Sequence, residues 1–252
     1  TVLQQFHEQA DSFDIPCELL TAEQVHQRTP AANPTGLLGG LFSPAELCVN
    51  PREATRSIPA WLSEKYGVTF QFETHIASVE SAGDPEANVR VTTSRRQSSE
   101  FDRVIVCCGA ELQSLFPDVL AASGLKRCKL QMLSVRKCEA DWTLGPHLAS
   151  GLTLRHYRNF EICRGIDSLK RRIAEETPEL DRFGIHVMAS QNNHGEIILG
   201  DSHEYGADIE PFDKMRIDEL MLRELQKVFR LPDWTITERW HGIYSKLPDL
   251  PV

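Results

Sequence analysis

The sequence predicts an α/β protein, α+β overall, organised as one large or two modest domains. Three observations carry this reading. Apolar residues recur at helical spacing through 213–229 (Ile217, Leu220, Met221, Leu225 and Val228), which predicts an amphipathic helix. Two short apolar runs, 185–190 and 196–199, flank Asn192-Asn193-His194-Gly195 and predict an antiparallel strand pair. A third run, Arg103-Val104-Ile105-Val106-Cys107-Cys108, stops abruptly at Gly109, the pattern of a parallel strand covered on both faces.

The elements follow in chain order. Residues 3–13 and 22–28 read as short helices, the second with Thr21 as N-cap. Asn33-Pro34-Thr35-Gly36 is a turn, and Gly39-Gly40 is a second permissive point. Asn50-Pro51 starts a helix with Pro at its first position; Ala54, Ile58, Trp61 and Leu62 form its stripe, Pro59 kinks it and Gly67 ends it. Strands are expected at 68–72, 74–79 and 89–93, with a turn at Gly83-Asp84-Pro85. After the strand at Val104, a helix is expected over 112–120. Beyond about residue 126 the pattern predicts strands at 129–135 and 151–157, a helix at 169–174, a turn capped by Thr177-Pro178, and a strand at 234–240 before a loop at 242–249.

Composition narrows the function classes. A chain of 252 residues, 41% hydrophobic and 25% charged, is long enough to bury a core. A net charge of −9 with only isolated arginine pairs argues against a nucleic-acid surface. No apolar run approaches the roughly 18 residues that span a bilayer, and no signal peptide is visible. The seven cysteines are odd in number and form no C-x-x-C pair, which argues for reduced thiols in a cytoplasmic protein and against structural zinc.

Four stretches carry chemistry-bearing residues. The strand ending at Gly109 could cradle a cofactor, because a glycine there lets backbone approach a ligand; the plain alternative is a buried strand ending in a turn. Gly200-Asp201-Ser202-His203-Glu204-Tyr205-Gly206 could move protons, or be a solvated turn; His203 and Glu204, being adjacent, would point to opposite faces of a strand and not share a metal. Arg155-His156-Tyr157-Arg158 closes a predicted strand on which Arg155 and Tyr157 share one face, His156 and Arg158 the other. Either pair could receive an anionic group, or form a solvated edge. Arg239-Trp240-His241-Gly242-Ile243-Tyr244, followed by Lys246, has the make-up of a site wall. No G-x-G-x-x-G, P-loop, G-x-S-x-G or H-E-x-x-H is present.

In this order the segments resemble the FAD-dependent D-amino acid oxidase, glycine oxidase and sarcosine oxidase superfamily. Gly40-Leu41-Phe42-Ser43-Pro44 with Val49-Asn50-Pro51 resembles its V-D-P-plus-helix passage. The step from Trp61 to Val68 resembles its helix-to-strand passage, and Arg103 to Gly109 its strand against the dinucleotide. Lys129-Leu130-Gln131 is similar to the strand entering the substrate domain. Glu238 to Gly242, with Pro248-Asp249, is similar to E-x-x-W-x-G-x-R-P-x-x-x-D. Further stretches (152–160, 184–191 and 200–206) resemble a branch associated with phosphonate catabolism.

The resemblance implies a partial FAD-binding Rossmann-like domain plus an antiparallel-sheet substrate domain. It divides the chain into helices and linker (1–44), part of the FAD domain (45–126), the substrate domain (127–236) and a return to the FAD domain (237–252). Family members open with G-x-G-x-x-G and close on a glycine-rich segment, so the chain is expected to be an internal fragment. The implied activity is oxidation of the C–N bond of a small primary or secondary amine, an amino acid or aminophosphonate, by hydride transfer to FAD. Alternatives are a non-catalytic binding module of the same fold, or a flavin dehydrogenase that passes electrons to a carrier. The implied cofactor wall is His75, Ile76, Ala77, Val79, Cys108, Gly109 and Ala110. The implied substrate contacts are Arg155, Tyr157, His203, Tyr244 and Lys246. Where relatives that act on amino acids place an arginine, this sequence has Tyr244, then Ser245 and Lys246, which points to an anion other than an α-carboxylate.

Overall fold

The computed structural model describes residues 1–81, 88–136 and 142–247. Gly83-Asp84-Pro85, Cys138 and Pro248-Asp249 lie outside them. The helices are α1 (Val2–Ala10), α2 (Ala22–Arg28), α3 (Pro51–Tyr66), α4 (Pro117–Ala122), α5 (Ile166–Glu176), α6 (Pro178–Arg182) and α7 (Met215–Val228). The strands are β1 (Glu18–Thr21), β2 (Gly39–Phe42), β3 (Ile76–Ser81), β4 (Val89–Thr93), β5 (Ser98–Phe101), β6 (Lys126–Val135), β7 (Leu148–Ala149), β8 (Met188–Gln191), β9 (Ile197–Gly200), β10 (Glu204–Gly206) and β11 (Ile236–Lys246).

The chain forms two compact units. The first holds Thr1–Asn50 and Cys128–Ile243. Its centre is a six-stranded sheet in the order β10-β6-β9-β8-β7, with β11 also paired to β6. Strands β6, β8 and β9 are antiparallel, with Met188 and Met132 both opposite Gly200. Alternation sends Leu133, Val135, Val187, Ala189, Ile197 and Leu199 to one face. There they bury against Ile217, Leu220, Met221 and Leu225 of α7, the stripe that its 3.6-residue period predicts. A smaller cluster joins Val2, Phe6 and Ala10 of α1 to Cys163 and Ile166, with the Phe6 and Phe160 rings 4.8 Å apart. Thr1 and Thr21 cap α1 and α2 with capping boxes closed by Gln4 and Gln24.

Two buried polar residues tie the sheet to the start of α7. Lys129 pairs with Asp213 at 2.8 Å and donates to the carbonyl of Glu210. Gln131 accepts from the Lys214 amide at 2.8 Å and donates to Asp218 at 2.9 Å. Lys214 is the N-cap residue but makes no side-chain cap, so Gln131 supplies a partner for a helix-end amide from another strand.

The second unit holds Pro51–Arg127 and residues 244–247. It contains α3, the antiparallel β3-β4-β5 sheet and α4. Val79 lies opposite Val91, and Val91 opposite Ser99. None of the described residues from 51 to 127 is buried.

The structure corrects five expectations. Residues 103–107 form no strand, and Ile105 is 87% exposed: among the described residues nothing hydrogen-bonds alongside the run, and an apolar run becomes a covered strand only with neighbours. The helix expected at 112–120 starts only at Pro117, because proline lacks the N–H and clashes with the preceding turn; Phe116 adopts φ 53° just before it. Residues 68–72 form no strand. Residues 151–156 form a 3₁₀ helix (Gly151–His156), not a strand, so Arg155 and Tyr157 do not alternate as on a sheet. Strand β11 runs on to Lys246 through part of the loop expected at 242–249, because it continues the edge of a sheet.

Candidate functional site

The face of the sheet opposite α7 carries the chemistry in the first unit. Ile185 and Val187 point into the core, so His186 between them points to the other face. Its backbone extends the β8–β9 ladder: the His186 amide donates to the Asp201 carbonyl at 3.2 Å, and the Asp201 amide donates back at 2.8 Å. The amide of His203 donates to the carbonyl of Phe183 at 2.8 Å, which brings a second imidazole beside the first. The 3₁₀ helix supplies the third. Residues three apart eclipse in a 3₁₀ turn, so Thr153 and His156 share a side. Thr153 Oγ1 lies 3.4 Å from His186 Nδ1, and the His156 ring centroid 4.4 Å from that of His186.

The result is a cluster of three imidazoles. The centroid of His203 is 5.0 Å from that of His186 and 5.3 Å from that of His156. His186 Nε2 lies 2.9 Å from Asp201 Oδ1. His203 Nδ1 is 3.1 Å from the Gly184 carbonyl, which only accepts, so that nitrogen carries the hydrogen. Tyr157 and Tyr205 flank the group at 6.4 Å from His186 and 6.0 Å from His203. Desolvation pushes the Tyr157 phenol pKa up, and the carboxylates of Asp201 and Glu46 push it further. Tyr205 is raised too, first by desolvation, then by Cys128 and Asp201. Both phenols therefore stay protonated and can donate.

Arg155 faces away from this cluster's chemistry. Its guanidinium donates to the carbonyls of Leu152, Leu180 and Ile185 and pairs with Asp181 at 3.4 Å. Its side chain is 5% exposed. A cavity of about 430 Å³ beside it is lined by Arg155, His156, Lys170, Arg171, Ala174 and Asp181.

The second unit holds the other predicted residues. Gly109 sits at φ 59°, with nothing within 4 Å of where a Cβ would lie. Ser245 Oγ donates to its carbonyl at 2.7 Å, and Arg127 Nε to that of Ala110 at 2.9 Å. The segment 244–246 thus reaches the glycine turn with Tyr244 and Lys246 on either side of the anchoring serine. His75 and Ala77 are exposed and Ile76, Val79 and Cys108 half-buried. The His75 carbonyl accepts from the Ser94 amide at 2.9 Å.

The structure brings His203 and Tyr157, both expected substrate contacts, beside His186, Asp201 and Thr153, to which the sequence assigned no role. The available signal for His186 was a polar residue at the open-face position of an otherwise apolar run.

This fold is shared with oxidases and dehydrogenases. Glycine oxidase from Geobacillus kaustophilus superposes with a TM-score of 0.63 at 12% identity over 95% of this chain and 54% of its own. L-proline dehydrogenase from P. horikoshii gives 0.66 at 17% identity over 96% of this chain and 56% of its own. NikD, an amino acid oxidase essential for nikkomycin biosynthesis, gives 0.62 at 15% identity over 97% and 56%. The chain spans about half the length of these solved structures, and at such identities the likeness concerns the fold. No curated protein matches by sequence. The model of the DAO family, FAD dependent oxidoreductase, matches residues 1–252, and the chain belongs to that family. Gly109 leaves the backbone bare over open space, and an α-carbon without a side chain admits a flat group closely.

Proposed function

We propose that the intact protein is an FAD-dependent oxidoreductase that oxidises the C–N bond of a small primary or secondary amine bearing a non-carboxylate anion, an aminophosphonate above all. The family match over the whole chain carries the oxidoreductase reading. The sequence at 244–246, with Tyr244 and Lys246 in place of an arginine, supports the choice of anion. Residues 45–126 are read as part of the FAD domain and 127–236 as the substrate domain. His75, Ile76, Ala77, Val79, Cys108, Gly109 and Ala110 are read as the cofactor wall. The free thiols fit a reducing, cytoplasmic setting.

Held against the wall at Cys108, Gly109 and Ala110, FAD would supply the acceptor for the hydride on the carbon beside the nitrogen. The substrate loses that hydride and the N–H proton, and the imine takes up water to give a carbonyl compound and ammonia or a smaller amine. The chain's own residues bind and orient. Lys246 offers a point charge and Tyr244 a hydroxyl donor to the anion. Tyr157, held protonated, donates a hydrogen bond and cannot act as base.

The test is an amine and aminophosphonate screen on the intact flavoprotein, with flavin absorbance and peroxide followed together. Lys246→Ala and Tyr244→Phe should each raise KM for the preferred anion about tenfold, the loss of one charge-assisted bond. Unchanged KM in both would remove the anion assignment. A preparation that takes up no FAD would favour a non-catalytic module. Turnover without peroxide, restored by an electron carrier, would identify a dehydrogenase.

A further inference from the structure

We infer that His156, His186 and His203 form a binding site for a divalent transition-metal ion of the zinc class. One ligand nitrogen from each lies within 4.8 Å of the others, and all three rings belong to the first unit.

The geometry argues for convergence. A column of stacked rings would place its outer pair at about the sum of the two inner spacings. Here the three centroid separations are 4.4, 5.0 and 5.3 Å, a near-equilateral triangle. Three imidazoles on one ion with Zn–N bonds of about 2.0–2.1 Å hold their centroids about 5.3 Å apart. The rings therefore need to move outward by less than an ångström and turn to share a centre.

The surroundings fit a cation. Ligating histidines are oriented by hydrogen bonds from their other nitrogen to a carboxylate or a carbonyl. His186 has Asp201 Oδ1 at 2.9 Å from Nε2 and Thr153 Oγ1 at 3.4 Å from Nδ1. His203 has the Gly184 carbonyl at 3.1 Å from Nδ1. Asp201 brings a buried carboxylate to within 2.9 Å of the His186 ring, which makes the local field negative. An anion would be repelled where a dication is attracted. Three nitrogen ligands without thiolate select zinc, cobalt, nickel or copper over magnesium and calcium, and leave a position open for an oxygen donor. His186 and His203 are 2% and 7% exposed, so access is through the half-buried His156.

The assignment depends on no flavin chemistry and is tested separately from it. The purified chain, stripped with a chelator, is titrated with Zn²⁺ against a chromophoric competitor, with Mg²⁺ as control. One Zn²⁺ per chain is expected. His203→Asn and His156→Asn should weaken it by more than about 100-fold, and Asp201→Asn by about 10–100-fold, as for an orienting partner. Cys17→Ser, which removes the thiol 3.5 Å from His7 Nδ1, should leave the stoichiometry unchanged. Co²⁺ bound to the unaltered chain should give the visible d–d bands of a nitrogen-ligated low-coordinate site, a readout independent of whether any variant folds. No Zn²⁺ uptake by the unaltered chain, no such Co²⁺ spectrum, or equal affinity in the folded histidine variants would overturn the assignment.

Discussion

Arg155 is the residue whose role the structure changes most. In sequence it is a cation at the end of a strand, free to meet an anion. In the structure its guanidinium closes a loop of three backbone carbonyls and Asp181. Removing it takes donors from the Leu152 and Ile185 carbonyls, while that of Leu180 keeps the Ile185 amide. Arg155→Ala should therefore cost about 3 kcal/mol in stability, read by urea denaturation. Lysine cannot reproduce the planar fork, so Arg155→Lys should recover only part of that. Gly184 makes a second residue-scale case. It sits at φ 53°, and an added Cβ would fall 2.8 Å from His203 Cβ. Gly184→Ala should cost about 1–3 kcal/mol through backbone strain and displace the His203 ring, visible as a shifted imidazole resonance. Asp213 gives a pH dependence. Desolvation pushes its carboxyl up, but hydrogen bonds and charge from Lys129 and His241 outweigh this and hold it below the usual aspartate range. Its stabilising effect is complete above the ordinary value of about 4 and is lost as pH falls through the lowered folded value. Asp213→Asn should flatten the loss of stability below about pH 4, measured as denaturation midpoint against pH.

Among elements, legibility follows the constraint that burial imposes. Helix α7 is long enough for its 3.6-residue period to repeat, and Leu220 and Met221 are 1% and 0% exposed. Leu220→Ala should cost about 2–5 kcal/mol. The β8–β9 pair was legible because its polar connection separates two apolar runs. The 151–156 segment was not: over six residues a period of three and a period of two are hard to tell apart, and only its contact with His186 selects the former. The 103–107 run misled for the opposite reason. Its apolar composition is that of a covered strand, but composition does not supply the neighbours that would cover it. The site divides likewise: His203 and Tyr157 stand in polar stretches that draw notice, while His186 is concealed inside the strand whose other face makes the core.

At the scale of the molecule the two units differ in what holds them. The first has a continuous core from the six-stranded sheet to α7. The second buries no described residue between 51 and 127, and leaves Ile58, Trp61 and Ile105 exposed. Local stability follows buried apolar contact. Amide hydrogen exchange on this chain should therefore show β6, β8, β9 and α7 protected at least about tenfold more than α3 and the β3-β4-β5 sheet. Equal protection in both units would contradict that account.

The latch of Gln131 on the start of α7 bears on the order of assembly. The two partners lie 83 residues apart in the chain. A growing polypeptide completes β6 long before the helix that it caps exists, so Gln131 and Lys129 must wait in water until the remainder of the sheet has been made. Closing so long a loop is slow compared with winding a helix. The amide that Gln131 accepts from therefore gains this partner only after the chain has returned to β6 across those 83 residues.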